Sequence, residues 1–311
     1  MTKRLNLPYT TQDLFPQSVP STKQGSMRAG SIASTPSSLY IPRPTFHHNS
    51  TTSFKNKFKN VKTMVKRLFK PSTLDFETAI WEIFHLIINP KKMYRSHYYY
   101  RQQLQQPDGK TSYTRDDPSF LILVTGFLSV SAIAWGLAYS PTILDIFKLV
   151  LYMVVVDFYI TGIVIATVTW LATNKLFNLE VGLNKYSANY IEWGFCFDIH
   201  CNSFLIIWCL LYVVQFILLP IIRIKKSIIA LILGNSLYFG SIGYYFVVTF
   251  YGFNSLPFIS SNVVKLNDRN PARVLQLIVV AGILPLLAIT WLITLLLRFN
   301  VAAKLVDSYF N

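Results

Sequence analysis

Charge is scarce in this sequence. Of 311 residues, only 14% are Asp, Glu, Lys or Arg, about half the share usual for a soluble globular protein. Hydrophobic residues make up 52% and aromatics 15%, and the mean hydropathy is +0.38. So few charges cannot cover the surface of an all-soluble fold, and so much apolar residue excludes a chain disordered throughout. Three cysteines are too few for a disulfide scaffold. Repeated short segments of alternating polarity are missing, which excludes a membrane β-barrel. Walker loops, GxGxxG, HExxH, a nucleophile elbow and a Ser/His/Asp pattern are missing too. Nothing therefore specifies catalysis, and the sequence implies neither an enzyme nor a cofactor.

The charge that is present is lopsided, with 29 basic residues against 14 acidic ones and a net charge of +15. Residues 1–118 hold 18 of the basic and 7 of the acidic residues. Residues 1–53 are rich in Ser, Thr and Pro and read as a disordered cytosolic tail. Residues 54–118 read as cytosolic amphipathic or interfacial helices. In the run 54–70, Phe54, Phe58, Val61, Val65, Leu68 and Phe69 form one helical stripe, interleaved with Lys55, Lys59, Lys62, Lys66 and Arg67 and no acid. That pattern suits an anionic lipid surface, where each cation contributes about 1 kcal/mol; the alternative is a solvated basic linker. No nucleic-acid recognition module accompanies the charge, so no specific nucleic acid is expected. Pro71 breaks the helix, and Ser72-Thr73-Leu74-Asp75 resembles a capping box that opens another. In that second helix Asp75, Thr78, Glu82, His85 and Asn89 form a polar stripe. The helix is too short and too charged to span a bilayer, and belongs at the interface or docked on the bundle. Pro90 ends it, and a polar, Tyr- and Gln-rich stretch runs on to Pro118.

Five apolar windows follow: Phe120–Tyr139, Leu149–Ala172, Ser203–Ile222, Ser227–Phe253 and Val274–Leu297. Each is long enough to cross a hydrocarbon core of roughly 30 Å at about 1.5 Å per residue, and in lipid such segments must be helical. The fold class is therefore all-α: a polytopic membrane protein with five transmembrane helices over 119–300, an N-terminal cytosolic amphipathic region, and a short lumenal tail over 301–311. Pro285, mid-span in the fifth helix, should kink it. Placing the N-terminus in the cytosol puts 23 basic residues on that side and 6 on the other, the orientation that basic flanks favour.

Candidate functional residues fall in four places. Asp157 is the one formal charge inside a span. It serves either an ion or lipid pathway or, the favoured reading, a hydrogen bond to Asn235, Tyr244 or another polar group on a neighbouring helix. The stretch Glu192-Trp193-Gly194-Phe195-Cys196-Phe197-Asp198-Ile199-His200-Cys201-Asn202 is the densest polar cluster. If helical, it sets Glu192, Cys196 and His200 on one face and Asp198 and Asn202 on another. One helix offers too few ligands on a face for zinc, so an interfacial hydrogen-bond network is expected, with Trp193 as an interface anchor. Arg115 beside Asp116 and Asp117 suggests a local salt-bridge turn, or one that reaches another loop; exposed pairs of this kind contribute about 0–1 kcal/mol.

These motifs resemble the uncoordinated-fifty (Unc-fifty) family of eukaryotic Golgi membrane proteins. The resemblance rests on Asp75-Phe76-Glu77 with Trp81, on Pro90 with Tyr94-Arg95, His97-Tyr98 and Arg101, and on Arg115-Asp116-Asp117-Pro118. It also rests on Glu192-Trp193-Gly194 through Phe197-Asp198, His200 and Asn202, on Gly234-Asn235, and on Gly243-Tyr244-Tyr245 through Leu256-Pro257-Phe258. It covers residues 74–299, and the front resembles that of the yeast member, which partners large Arf guanine-nucleotide exchange factors of the Gea type. The family implies a five-span Golgi protein acting in vesicle-mediated protein transport, with Golgi lipids and such an exchange factor as partners and no catalytic residues. A rival reading is a small-solute or lipid transporter, or a scramblase, that uses Asp157 and the polar cluster. A transporter requires a polar groove reaching mid-membrane, whereas an adaptor needs only a dry bundle.

Overall fold

A computed structural model describes residues 74–103, 113–115, 117–140, 142–177, 191–224, 227–256, 259 and 271–310. They all belong to a compact unit, Met64–Asn311. The basic helix expected over 54–70, with Lys55, Lys59, Lys62, Lys66 and Arg67, lies outside the described residues, as does the tail 1–53. The described residues contain helices and no strand.

Two short helices lead. Helix α1, Phe76–Ile88, is capped by Asp75, whose carboxylate accepts from Thr78 N at 3.0 Å. The cap is thus Asp75, with Thr78 at the third helical position, and not Ser72; an aspartate so placed also favours the positive end of the helix dipole. Helix α2, Pro90–Gln103, takes up the first part of the polar, Tyr- and Gln-rich stretch after Pro90. Proline at the first helical position has no amide to lose, and the Asn89 side chain accepts from Lys92 N at 3.1 Å. Pro90 therefore separates two helices and starts the second.

Five helices are long and apolar enough to cross a membrane: α3 Ser119–Tyr139, α4 Ile143–Lys175, α5 Trp193–Ile222, α6 Ile228–Asn254 and α7 Ala272–Leu296. The protein is a multi-pass membrane protein. Helix α5 starts ten residues before its apolar window because its polar first turns, holding His200 and Asn202, are buried against protein instead of facing water. It packs on α4 and α6 and touches α3 and α1, while α7 lies outermost against α6. Only 6% of α7's apolar window is buried in protein, so lipid must cover Leu286, Ile289, Ile293 and Leu296. Three spans contain a stretch of π-helix: Tyr152–Ile160 in α4, Trp208–Val214 in α5 and Leu277–Ile283 in α7. The last ends two residues before Pro285, where a ring without an N–H disrupts the regular i→i+4 ladder.

The residues read as a tail form helix α8, Val301–Phe310. It is too short to register as a span, yet Ala302 and Val306 are buried and Phe310 stacks on Trp135 of α3 at 5.8 Å. Between α7 and α8 the chain turns at Arg298, which has φ 49°. Phe299 N donates to Thr294 O and Arg298 N to Leu295 O, the two bonds of a Schellman turn. Asn235, fully buried on α6, holds the other side. Its amide donates to Thr294 Oγ1 and Phe299 O at 3.0 and 2.9 Å, and its carbonyl oxygen accepts from Val301 N at 2.9 Å. Gly234 permits this approach: a β-carbon there would lie 2.9 Å from Asn300 Oδ1.

Candidate functional site

Arg115 is the centre of a polar network at the end of the bundle that carries α1 and α2. It stands four residues before α3, and three elements supply its partners. Its guanidinium donates to Glu82 Oε2 of α1 at 2.9 Å and to Asn202 Oδ1 of α5 at 3.3 Å. Its backbone N donates to Asp198 Oδ2 at 2.6 Å, and its charge lies 4.3 Å above the ring of Phe120. Glu82 also meets His97 Nδ1 of α2 at 3.3 Å. Asn202 passes its amide on to Tyr94 OH of α2 at 3.3 Å. The expected local salt-bridge turn does not form among the described residues, because Arg115 turns inward. The side chains of Arg115 and Glu82 are 11% and 9% exposed, so this is a buried pair whose breakage is costly, and not a weak surface pair. Burial opposes the Arg115 charge, but the carboxylates of Glu82 and then Asp198 outweigh it and hold the guanidinium above its ordinary pKa. Burial also drives the Tyr94 phenol well upward.

The spacing argument for α5 holds in part. Asp198 and Asn202 share a face and both serve Arg115. Glu192, Cys196 and His200 do not converge on an ion. Glu192 accepts from Thr114 Oγ1 at 2.8 Å, and His200 Nδ1 pairs with Tyr245 OH at 2.9 Å. No group of three potential ligands occurs among the described residues. Trp193 is 38% exposed and donates from Nε1 to Thr167 Oγ1 at 3.1 Å, consistent with an anchor at the bundle's edge. Asp117 accepts from Ser119 N and from Asp75 N at 3.2 and 3.0 Å, tying the start of α1 to the start of α3. Asp116 lies outside the described residues. A cavity of about 40 Å³ adjoins the network, lined in part by Tyr94, His97, Arg115, Asp198 and Asn202; it has room for one or two waters.

Asp157 sits in the π-helical stretch of α4. Its Oδ2 accepts from Tyr212 OH of α5 at 2.9 Å and from Tyr309 OH of α8. The expected hydrogen bond to a polar group on a neighbouring helix is present, but its partner is Tyr212 and neither of the two residues named from sequence: Asn235 is committed to the α7–α8 turn, and Tyr244 OH reaches Ile87 O at 3.4 Å. Asp307 of α8 adds an ion pair with Arg223. Burial first, and then the bond to Asp157, raises the Tyr309 phenol far above its ordinary pKa. Asp157 is thus a latch for the last helix. Further polar pairs link the spans, Trp208 Nε1 with Ser131 Oγ and Ser203 Oγ with Thr249 Oγ1, each at 2.9 Å, while the buried Trp170 Nε1 and His200 Nε2 have no hydrogen-bond partner among the described residues.

Sequence reasoning missed Glu82 and His97 as network members, and Tyr212 and Tyr309 as the Asp157 ligands. The available signal was the lone acid on α1's otherwise neutral later turns.

Five membrane-length helices, an end bound together by a buried ion-pair network and a last helix latched to the spans define a multi-pass helical membrane protein with an ordered N-terminal collar. The sequence model of the UNC-50 family matches residues 64–310, and the chain belongs to that family. The match takes in α1, α2 and α8 as well as the spans. Protein GMH1 of Saccharomyces cerevisiae is 44% identical over 216 residues, 65% of this chain and 75% of that protein. Protein GMH1 homolog of Schizosaccharomyces pombe is 33% identical over 260 residues, 83% and 97% of the two chains. Protein unc-50 homolog of Homo sapiens is 33% identical over 208 residues, 67% and 76%. No solved structure matches the chain.

Proposed function

We propose that this protein is a non-enzymatic Golgi membrane protein acting in vesicle-mediated protein transport, as the membrane partner of a large Arf guanine-nucleotide exchange factor. The observation that carries this reading is the Arg115 network. It spends a buried ion pair and three helices on making one end of the bundle rigid, as a docking platform requires. Asp157, the one formal charge inside the five apolar windows, is occupied in holding α8. A transporter would need that carboxylate free and aimed into a groove. In the proposed orientation the N-terminus, α1 and α2 face the cytosol, where exchange factors act, and the C-terminus is lumenal.

The test uses the full-length chain, tagged at either end, in sealed Golgi vesicles. Protease should remove an N-terminal tag and spare a C-terminal one, and capture of the chain should bring down an Arf exchange factor. A C-terminal tag digested without detergent contradicts the orientation. Capture of intact chain from Golgi membranes without exchange factor contradicts the partnership.

A further inference from the structure

Helix α1 exposes a large apolar stripe although it already buries an apolar side. Its inner side buries Ala79, Glu82, Ile83 and Leu86. Its outer side presents Ile80, Phe84, Ile87 and Ile88, which are 57%, 59%, 41% and 64% exposed. Their spacing of four, three and one places them on one stripe. The helix is therefore apolar on both sides: Ala79, Ile83 and Leu86 pack inward beside Glu82, which Arg115 holds, and a second apolar stripe is left facing out. Four large side chains on a 13-residue helix call for an apolar medium.

The position of the stripe identifies that medium. At one end of α1, Asp75 N bonds Asp117 Oδ2 beside the start of α3. At the other, the Ile87 carbonyl receives Tyr244 OH. Tyr244 stands ten residues before the end of α6 at Asn254, about 15 Å along the helix axis. Even allowing for the length of the tyrosine side chain, Ile87 lies level with the outer turns of a membrane-length helix and not beyond its end. Immediately after the stripe, α2 opens with Lys91, Lys92 and Arg95, all exposed, and no acid occurs between Asn89 and Gln103. Hydrocarbon-seeking side chains beside a cluster of cations match the layering of a leaflet, acyl chains next to phosphates.

We propose that the hairpin Phe76–Gln103 is a wedge seated in the leaflet on its own side of the membrane. Ile80, Phe84, Ile87 and Ile88 lie among acyl chains, and Lys91, Lys92 and Arg95 hold the headgroups of acidic phospholipids. The bilayer is thus the occupant of this face, and the assignment stands whether or not an exchange factor docks nearby.

The full-length protein in nanodiscs of phosphatidylcholine and phosphatidylserine provides the test. A nitroxide on Phe84→Cys, with Cys209→Ser to remove the half-buried native thiol, should be relaxed by oxygen far more than by a water-soluble nickel chelate. Relaxation mainly by nickel overturns the wedge; shielding from both shows that protein covers the stripe, and overturns it equally. Native mass spectrometry then reads the phosphatidylserine retained. Replacing Lys91, Lys92 and Arg95 by Gln, singly and together, should lower retained phosphatidylserine by about fivefold per cation removed. These side chains are exposed, so the variants should elute as the parent does. Unchanged retention overturns the headgroup contact.

Discussion

Replacing Arg115 by Met should be among the most damaging single changes outside the spans. The variant removes the 2.9 Å partner of Glu82 Oε2 and the weaker 3.3 Å bond to Asn202. It also removes the charge above Phe120. The backbone bond to Asp198 survives, and Glu82 Oε1 keeps His97. Stranding a buried carboxylate costs about 3–5 kcal/mol; the surviving His97 contact places the expectation at the lower end, about 3 kcal/mol. Glu82→Leu alone should cost a similar amount, since it leaves a buried guanidinium uncompensated. The double variant Arg115→Met with Glu82→Leu removes both charges and restores apolar volume, so it should lie within about 1 kcal/mol of the parent. The coupling in this cycle is then large and favourable. Denaturation of the purified protein in mixed micelles, followed by tryptophan fluorescence, measures all four corners. If the double variant loses as much as the two single losses added together, the pair is not coupled and the role given to Arg115 is mistaken.

The other expectations concern α8 and its connections. Asp157→Asn keeps an acceptor for Tyr212 and Tyr309 and should leave abundance near normal, whereas Asp157→Leu strands two hydroxyls at about 1–3 kcal/mol each and should lower it. Normal abundance with lost trafficking in Asp157→Asn would instead support a transport role. Asn235→Leu removes the three bonds that hold the α7–α8 turn, and limited proteolysis should then cut near residue 300 in protein that otherwise resists it. Arg298→Gly relieves a left-handed residue and should raise stability by up to about 1 kcal/mol in the same micelle titration; a loss of stability there would show that the arginine side chain matters more than its backbone.

The spans were legible because an apolar run of about twenty residues is longer than a soluble helix can bury and matches the thickness of a bilayer core. The shared face of Asp198 and Asn202 followed from a spacing of four. What could not be read was pairing over distance. Glu82 lies 33 residues before Arg115, on a helix where a charge is expected to face water, and only the fold reveals that α1 turns its acid inward. Tyr309 lies 152 residues from Asp157, in a segment too short to register as a span, and its tyrosine resembled any other interfacial aromatic. The aspartate cap of α1 was displaced by three residues from the motif expected, because serine and threonine at 72 and 73 offered an equally good pattern and local sequence does not choose between them.

Recruitment in a purified system bears most directly on the account. Full-length protein is reconstituted in liposomes with its N-terminal end outward, and an Arf guanine-nucleotide exchange factor is added at increasing concentration and sedimented with them. The account predicts saturable binding above that of protein-free liposomes of the same lipid, reduced when Arg115→Met loosens the collar and restored in the double variant with Glu82→Leu. Equal binding to liposomes with and without the protein would contradict it.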